Sequence, residues 1–140
     1  MSILSDKEIK ALCDPTLDSP LLSPYTDQLV RKRINNQAGV NSLERVISYG
    51  SSSYGYDVRI ANEFKIFSNL NYSLLDPKNL DESSFIDHEG DYCIIPPNSF
   101  VLARTIEQFH MPKDVTGLVL TKSTYARLGL FCLTTVIEAG

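Results

Sequence analysis

The stretch of sequence that decides the fold is YDVRIANEFKIF, residues 56–67. It contains two short runs of β-branched and aromatic residues, 56–60 and 64–67, on either side of the turn former Asn62. Runs of this kind, bounded by turn residues, are typical of strands. More such runs follow along the chain, at residues 92–95, 100–103, 115–120 and 130–137. Because no long amphipathic helix separates them, the sequence predicts an antiparallel barrel or sandwich.

The N-terminal segment is predicted to form a short helix. Ser5 can cap this helix, and Glu8, three residues later, completes a capping box. Leu4 and Ile9 occupy the positions of a hydrophobic staple around that box. Pro15 cannot continue the helix, so the helix is expected to end before it.

Length, composition and charge limit the class of protein. The chain has 140 residues, of which 43% are hydrophobic and 21% charged, which suits one domain and is too apolar for a disordered chain. Its apolar runs are too short to cross a bilayer, and its first residues become charged too soon for a signal peptide. A net charge of −4 disfavours DNA or RNA as a partner. We predict one mainly β domain over residues 1–140 that is cytoplasmic and has no membrane partner.

The cysteines and histidines do not predict a metal centre. Cys13, Cys93 and Cys132 are widely spaced, and neither His88 nor His110 has a second ligand nearby in the sequence. The pattern of a zinc-dependent deaminase is also absent. We therefore expect reduced thiols and neither zinc nor another metal held by the protein itself.

The motif TKSTYARLGL, residues 121–130, is the densest candidate for a functional site. Ser123 or Thr124 can cap one or two helical turns, which Gly129 would end in a left-handed conformation. The free amides of such a turn, beside a lysine and two hydroxyls, make an anion site of phosphate type.

Arg127 adds to this candidate site, because it follows Ser123 by one helical turn and brings a fork-shaped donor to the same face. An ordinary capped turn between strands, with two solvated cations, explains the same spacing. The spacing alone leaves both interpretations open.

Two other segments are weaker candidates. The stretch SYGSSSYGYDVR, residues 48–59, offers small residues and tyrosines. It can also be a flexible loop that leads into a strand on which Asp57 and Arg59 pair with each other. The trio Arg31-Lys32-Arg33 is predicted to be a solvated turn or strand edge, with phosphate contact as the alternative.

Taken together, the segments resemble the bacterial dCTP deaminase family of the dUTPase-like superfamily. The resemblance is carried by residues 48–59, 63–67, 76–79, 94–100, 103–105 and 122–129. It implies a β-clip or distorted jelly-roll fold of dUTPase-like type, assembled as a homotrimer with nucleotide sites between subunits. It further implies hydrolysis of dCTP to dUTP and ammonia in pyrimidine deoxynucleotide metabolism, the supply route to dUMP and dTTP. No metal takes part in the chemistry, and Mg²⁺ accompanies the triphosphate.

The resemblance also implies roles for individual residues. The nucleotide contacts fall on the family motif, which here is Lys122, Ser123, Thr124, Tyr125, Ala126 and Arg127. Ser123 and Arg127 are the catalytic residues of this chain, because in the family pattern they position the attacking water and stabilise charge at C4 of cytosine. Glu138 matches an acidic position that contacts the sugar in some relatives.

The chain departs from the family pattern at its end. Family members continue past Gly140 into a strand that carries the general-base glutamate, and then into further strands and a tail. The chain is therefore expected to be a truncated product or fragment of a longer enzyme, and Glu138 is not the missing base. Two alternatives stay open: a dUTPase-like or bifunctional dCTP deaminase and diphosphatase, or a catalytically impaired nucleotide-binding fragment.

Overall fold

The computed structural model of the chain describes residues 2–35, 42–68, 76–79, 82–133 and 135–140. Its elements, in chain order, are α1 (Asp6–Leu12), β1 (Leu22–Ser23), β2 (Val30–Asn35), β3 (Ser42–Ser52), β4 (Gly55–Asp57), β5 (Ile60–Phe67), β6 (Phe85–Glu89), β7 (Val101–Thr105), β8 (Gln108–Phe109) and α2 (Ser123–Ala126). The predicted class, mainly β with a short N-terminal helix, is confirmed. Among the described residues, no helix is long and apolar enough to cross a membrane.

The elements fall into two compact units. The first unit combines residues 1–58 with residues 107–140, and the second unit is residues 59–106. The prediction of one domain over residues 1–140 stays a prediction.

The N-terminal helix of the first unit begins as its sequence predicts. Ser5 is the N-cap, its backbone N–H donates to the Glu8 carboxylate at 2.8 Å, and its Oγ lies 3.5 Å from the Glu8 N–H. These hydrogen bonds hold the pKa of Glu8 below its usual range. The buried side chain of Ile9 packs with Leu21 and Leu22 into the core, and Leu4 lies against the same cluster.

The first unit contains a sheet of order β2-β3-β4, and β2 lies at its edge. Residues 48–59 are therefore not a flexible loop, because β3 and β4 form a hairpin in which Gly50 lies opposite Asp57. Gly50 has φ +102°, and a Cβ on it would overlap the carbonyl of Gln28. Only glycine allows this close approach of two backbones.

The second unit is built on a sheet of order β6-β5-β7. Three aromatic side chains pack at one end of it: Phe67 stacks on Phe100 at 4.7 Å, and Phe85 meets both edge-on. The Ser99 hydroxyl donates to the Phe67 carbonyl at 2.7 Å. The predicted strand at residues 64–67 is confirmed within β5, and the one at residues 100–103 is confirmed by β7, which begins one residue later, at Val101.

Several predicted strands are wrong. The run at residues 56–60 is divided between β4 and β5, and residues 92–95 form no strand. The Tyr92 carbonyl is bound by the His88 ring instead of a neighbouring strand, and Pro96-Pro97 follows with no N–H to donate.

Among their described residues, the runs at 115–120 and 130–137 pair at a single bridge, between Gly117 and Ile137. Leu118 and Leu120 are 75% and 83% exposed, so their side chains share one face, as in a strand. The segment nevertheless has no ladder of backbone hydrogen bonds to a neighbouring strand. Alternation is a local property, whereas a strand requires a partner for its N–H and C=O groups. Thr134 lies outside the described residues.

Candidate functional site

The motif at residues 121–130 forms the short helix α2, as predicted, but its cap differs from the prediction. Lys122 is the N-cap residue, and no side chain caps the helix. Ser123 and Thr124 are already inside the helix, so their hydroxyls are not used as caps and stay exposed. Gly129 adopts φ +79°, the left-handed conformation predicted for the end of the turn.

Hydrogen bonds connect the residues of α2 to one another and join the segments before and after the helix. The Arg127 N–H donates to the Ser123 carbonyl at 3.1 Å, so the two residues stand one turn apart as their spacing predicts. The Cys132 N–H donates to the Thr121 hydroxyl at 2.7 Å, which ties the segments before and after the helix together. These hydrogen bonds connect the backbone of the motif to itself and to the segment that follows it.

An ion pair fixes the first cation of the motif. The Lys122 ammonium donates to the Asp57 carboxylate at the end of β4. The two side chains are 26% and 28% exposed, so water screens this pair less than a fully exposed one. Ser48 Oγ donates to the same carboxylate oxygen at 3.3 Å. The ammonium carries three protons, so two remain for a ligand.

The partners of Asp57 come from other segments of the chain. Pairing of Asp57 with Arg59 was one of two interpretations of residues 48–59 and stays a prediction, whereas the Asp57 carboxylate binds Lys122 and Ser48. Lys122 lies 65 positions away in the sequence, and no local pattern contains this pairing. Ser48 and Asp57 belong to the weaker candidate segment, residues 48–59, but the sequence did not predict that this segment meets the motif at residues 121–130.

A groove lies beside this ion pair, on the side of α2. It encloses about 400 Å³ and is lined by Arg31, Lys32, Arg45, Val46, Ile47, Ser48 and Thr124. Thr124 belongs to the predicted motif, and Ser48 links the groove to the carboxylate that holds Lys122. The predicted strand edge for residues 31–33 is confirmed, because they belong to β2. The structure thus brings that basic segment to α2.

The remaining predicted site residues are placed in different surroundings. Arg127 is exposed at the C-terminus of α2, Tyr125 is 41% exposed, and Ala126 is half-buried. Glu138 is exposed next to the bridge residue Ile137, and it makes no hydrogen bond or ion pair with another described residue. The structure therefore places Thr124 on the groove and Lys122 on Asp57, which also binds the groove residue Ser48, and it records no contact of Glu138 with Lys122 or Thr124.

The site is cationic, and its chemistry suits an anion. Lysine and arginine donate hydrogen bonds and accept none, and the Asp57 carboxylate is already engaged by Lys122. Within the described ranges, no cluster of three or more histidine, cysteine, aspartate or glutamate residues stands ready for a metal ion. A phosphate group is the ligand whose charge and acceptor oxygens match these donors.

Comparison with known proteins agrees with this chemistry. A family model described as dCTP deaminase-like matches residues 3–140. The dCTP deaminase of Laribacter hongkongensis (strain HLHK9) is 50% identical over 138 residues, which are 99% of this chain and 68% of that protein. Those of Pseudomonas fluorescens (strain SBW25) and Acidovorax sp. (strain JS42) are 49% and 48% identical over the same shares. The mainly β structure is consistent with the predicted dUTPase-like fold.

Proposed function

Because this chain belongs to the dCTP deaminase-like family, we propose that it serves the hydrolytic deamination of dCTP to dUTP and ammonia. In this reaction water adds to C4 of the cytosine ring, the C–N bond to the amino group breaks, and ammonia leaves. The product belongs to the pyrimidine deoxynucleotides that supply dUMP and dTTP. Curated relatives that carry the name dCTP deaminase support the assignment.

The observation that carries the proposal is the ion pair between Lys122 and Asp57. A free lysine side chain on the surface samples many rotamers, and ordering it on a ligand costs conformational entropy. Asp57 holds the ammonium in place before the nucleotide binds, so less of that cost remains for binding. We propose that Lys122 uses its remaining protons on the phosphates of dCTP.

The chemical step falls to Ser123 and Arg127 in this proposal. Addition of water to C4 makes a tetrahedral intermediate whose charge must be stabilised by donors already in place. The hydroxyl of Ser123 orients the water, and the Arg127 guanidinium stabilises the developing charge. The resemblance assigns the general base to a glutamate beyond Gly140, so these two residues are this chain's share of the catalysis.

We also propose Mg²⁺ and a homotrimer. The lysine and arginine side chains here fit the phosphates and not a metal, so Mg²⁺ would be carried by phosphate oxygens of dCTP. Magnesium bound there neutralises part of the triphosphate charge. The family resemblance supports a trimer with nucleotide sites between subunits, as well as a cytoplasmic location.

Two measurements test the function. Calorimetry with dCTP and Mg²⁺ should show binding to this chain, and chromatography after incubation of dCTP with the full-length parent enzyme, which supplies the general base, should show dUTP together with released ammonia. The appearance of dUMP and pyrophosphate would favour the bifunctional alternative, and binding without turnover would favour the nucleotide-binding fragment. Failure to bind dCTP at all would contradict the proposal.

A further inference from the structure

Ser48 contacts the Asp57 carboxylate from the other strand of the β3–β4 hairpin. Asp57 is the last residue of β4 and lies directly opposite Gly50 in that hairpin. Ser48 precedes Gly50 by two residues in β3, so it is a diagonal neighbour of Asp57 across the two strands. Its Oγ donates to Asp57 Oδ2 at 3.3 Å. The register of the hairpin therefore determines which hydroxyl reaches this carboxylate.

One oxygen of the carboxylate receives both donors of the site. Asp57 Oδ2 accepts from the Lys122 ammonium as well as from the Ser48 hydroxyl. The terminal torsion of an aspartate is broad and roughly two-fold, so one donor leaves the carboxylate free to turn. Two donors from different segments of the chain restrict that rotation. The Asp57 carboxylate is thus held by the hairpin on one side and by the motif at residues 121–130 on the other.

The two donors differ in how much freedom they bring to this contact. Lys122 has a long side chain whose ordering costs conformational entropy, whereas the Ser48 hydroxyl stands on a short side chain that a strand carries. The short side chain is the better ordered of the two before they meet the carboxylate. Ser48 therefore orients Asp57, and Asp57 in turn orients Lys122.

A second serine of β3 shows what a purely local hydroxyl contact looks like. Ser52 is half-buried like Ser48 and donates at a similar distance, 3.1 Å, but its acceptor is the Gly55 carbonyl in the turn of the hairpin. Ser52 stabilises the turn, whereas Ser48 contacts the carboxylate that binds Lys122. The two serines share their residue type, strand and degree of burial, so Ser52 is the matched control for Ser48.

We propose that Ser48 is a positioning residue for Lys122. Its hydroxyl fixes the Asp57 carboxylate, and this carboxylate holds the ammonium where a phosphate of the nucleotide meets it. Ser48 acts through Asp57 and does not need to touch the nucleotide itself. The identity of the ligand rests on the proposed function, but the placement of the ammonium can be measured in the chain without a ligand.

The first experiment follows the Lys122 ammonium in the ligand-free chain by NMR of the lysine ammonium groups, with the signal assigned by its loss in Lys122→Met. Protons of an ammonium held by a carboxylate exchange with water more slowly than those of a free lysine. Ser48→Ala should speed this exchange by about twofold or more, because the carboxylate loses a hydrogen bond that holds it. Ser48→Thr keeps the hydroxyl and should restore the wild-type rate, and Ser52→Ala should leave the rate unchanged. Equal exchange rates in wild type and Ser48→Ala overturn the inference.

The second experiment separates positioning from direct contact with the ligand. By calorimetry, Ser48→Ala should weaken dCTP binding about two- to fivefold in the wild-type chain and should add nothing in an Asp57→Asn background, since both changes remove the same positioning. Ser52→Ala should bind dCTP as the wild type does.

The outcomes of the calorimetry distinguish this inference from the proposed function. In a chain that binds dCTP, equal weakening by Ser48→Ala in both backgrounds, or none in either, overturns the inference, because Ser48 then acts on the ligand or the fold directly or does not act at all. A chain that fails to bind dCTP while its ammonium exchange depends on Ser48 supports the positioning of Lys122 and rejects the proposed function.

Discussion

The Lys122 ammonium donates a hydrogen bond to the Asp57 carboxylate, although the two residues lie 65 positions apart in the chain. The pair joins the end of β4 to the residue before α2, and both side chains are about three-quarters buried. The Asp57 carboxylate therefore fixes the position of the Lys122 ammonium, a cation of the family motif.

Removing the carboxylate tests how far that positioning matters. Asp57→Asn should weaken dCTP binding about three- to tenfold, because Lys122 loses the charge that orders it. Asp87→Asn is the matched control, since Asp87 also pairs with a lysine but is 81% exposed in the second unit. Calorimetry in the presence of Mg²⁺ measures the dCTP affinity of both variants. Equal affinities for Asp57→Asn and wild type would show that the ion pair is structural only.

Arg127 can be tested without disturbing the fold, because its side chain is exposed. In the full-length parent enzyme, Arg127→Ala should lower the rate of dCTP deamination by roughly 10²–10³-fold, the effect typical of losing a donor to developing charge. Circular dichroism should remain that of the wild type. Arg127→Lys keeps the charge but loses the planar guanidinium fork, so its deamination rate should lie between those of the wild type and Arg127→Ala. An unchanged rate in Arg127→Ala excludes it from the chemical step.

Three glycines allow the effect of backbone conformation on stability to be measured separately from the effect of close packing. Gly50→Ala should destabilise the chain by about 1–3 kcal/mol from its positive φ alone, and by more because the new Cβ meets the Gln28 carbonyl. Gly129→Ala has the positive φ but open space around it, so only the conformational cost of that φ, about 1–3 kcal/mol, is expected.

Gly55→Ala is the control for both, because it has neither a positive φ nor a close neighbour. Urea denaturation gives the three free energies of unfolding. The loss of unfolding free energy should be largest for Gly50→Ala, smaller for Gly129→Ala and smallest for Gly55→Ala. A Gly50→Ala variant as stable as Gly55→Ala would contradict the packing described for β3.

The capping box predicts an acid-dependent contribution to stability. The Ser5 hydrogen bonds lower the pKa of Glu8, so the folded state favours the ionised carboxylate more than the unfolded state does. The resulting stabilisation is complete above the unfolded pKa of about 4.3 and disappears as the pH falls through the lower folded value. Glu8→Gln should therefore be less stable than wild type at pH 7, with the difference shrinking below about pH 4.

Asp18→Asn is the control for this titration, because Asp18 is an exposed carboxylate outside the capping box. Urea midpoints at pH 7 and at acidic pH provide the comparison. A Glu8→Gln difference that is as large in acid as at neutral pH would mean that the carboxylate charge does not stabilise α1.

The N-terminal capping box, the left-handed Gly129 and the strand at residues 64–67 could be predicted from the sequence. Each depends on residues within a few positions of one another, whose hydrogen bonds and steric limits act locally. The family motif at Lys122 could also be recognised, because its residues are consecutive.

The pairing of Lys122 with Asp57 and the joining of Arg31 and Lys32 to Thr124 were decided by the tertiary structure alone. These contacts depend on the register of β2, β3 and β4, and on a shift in that register between Val30 and Lys32 that no local pattern encodes. The strands wrongly predicted at residues 92–95 and 115–120 have the same cause, since a ladder needs a partner from elsewhere in the chain. Local chemistry determined which residues could bind phosphate, and long-range pairing determined which of them meet.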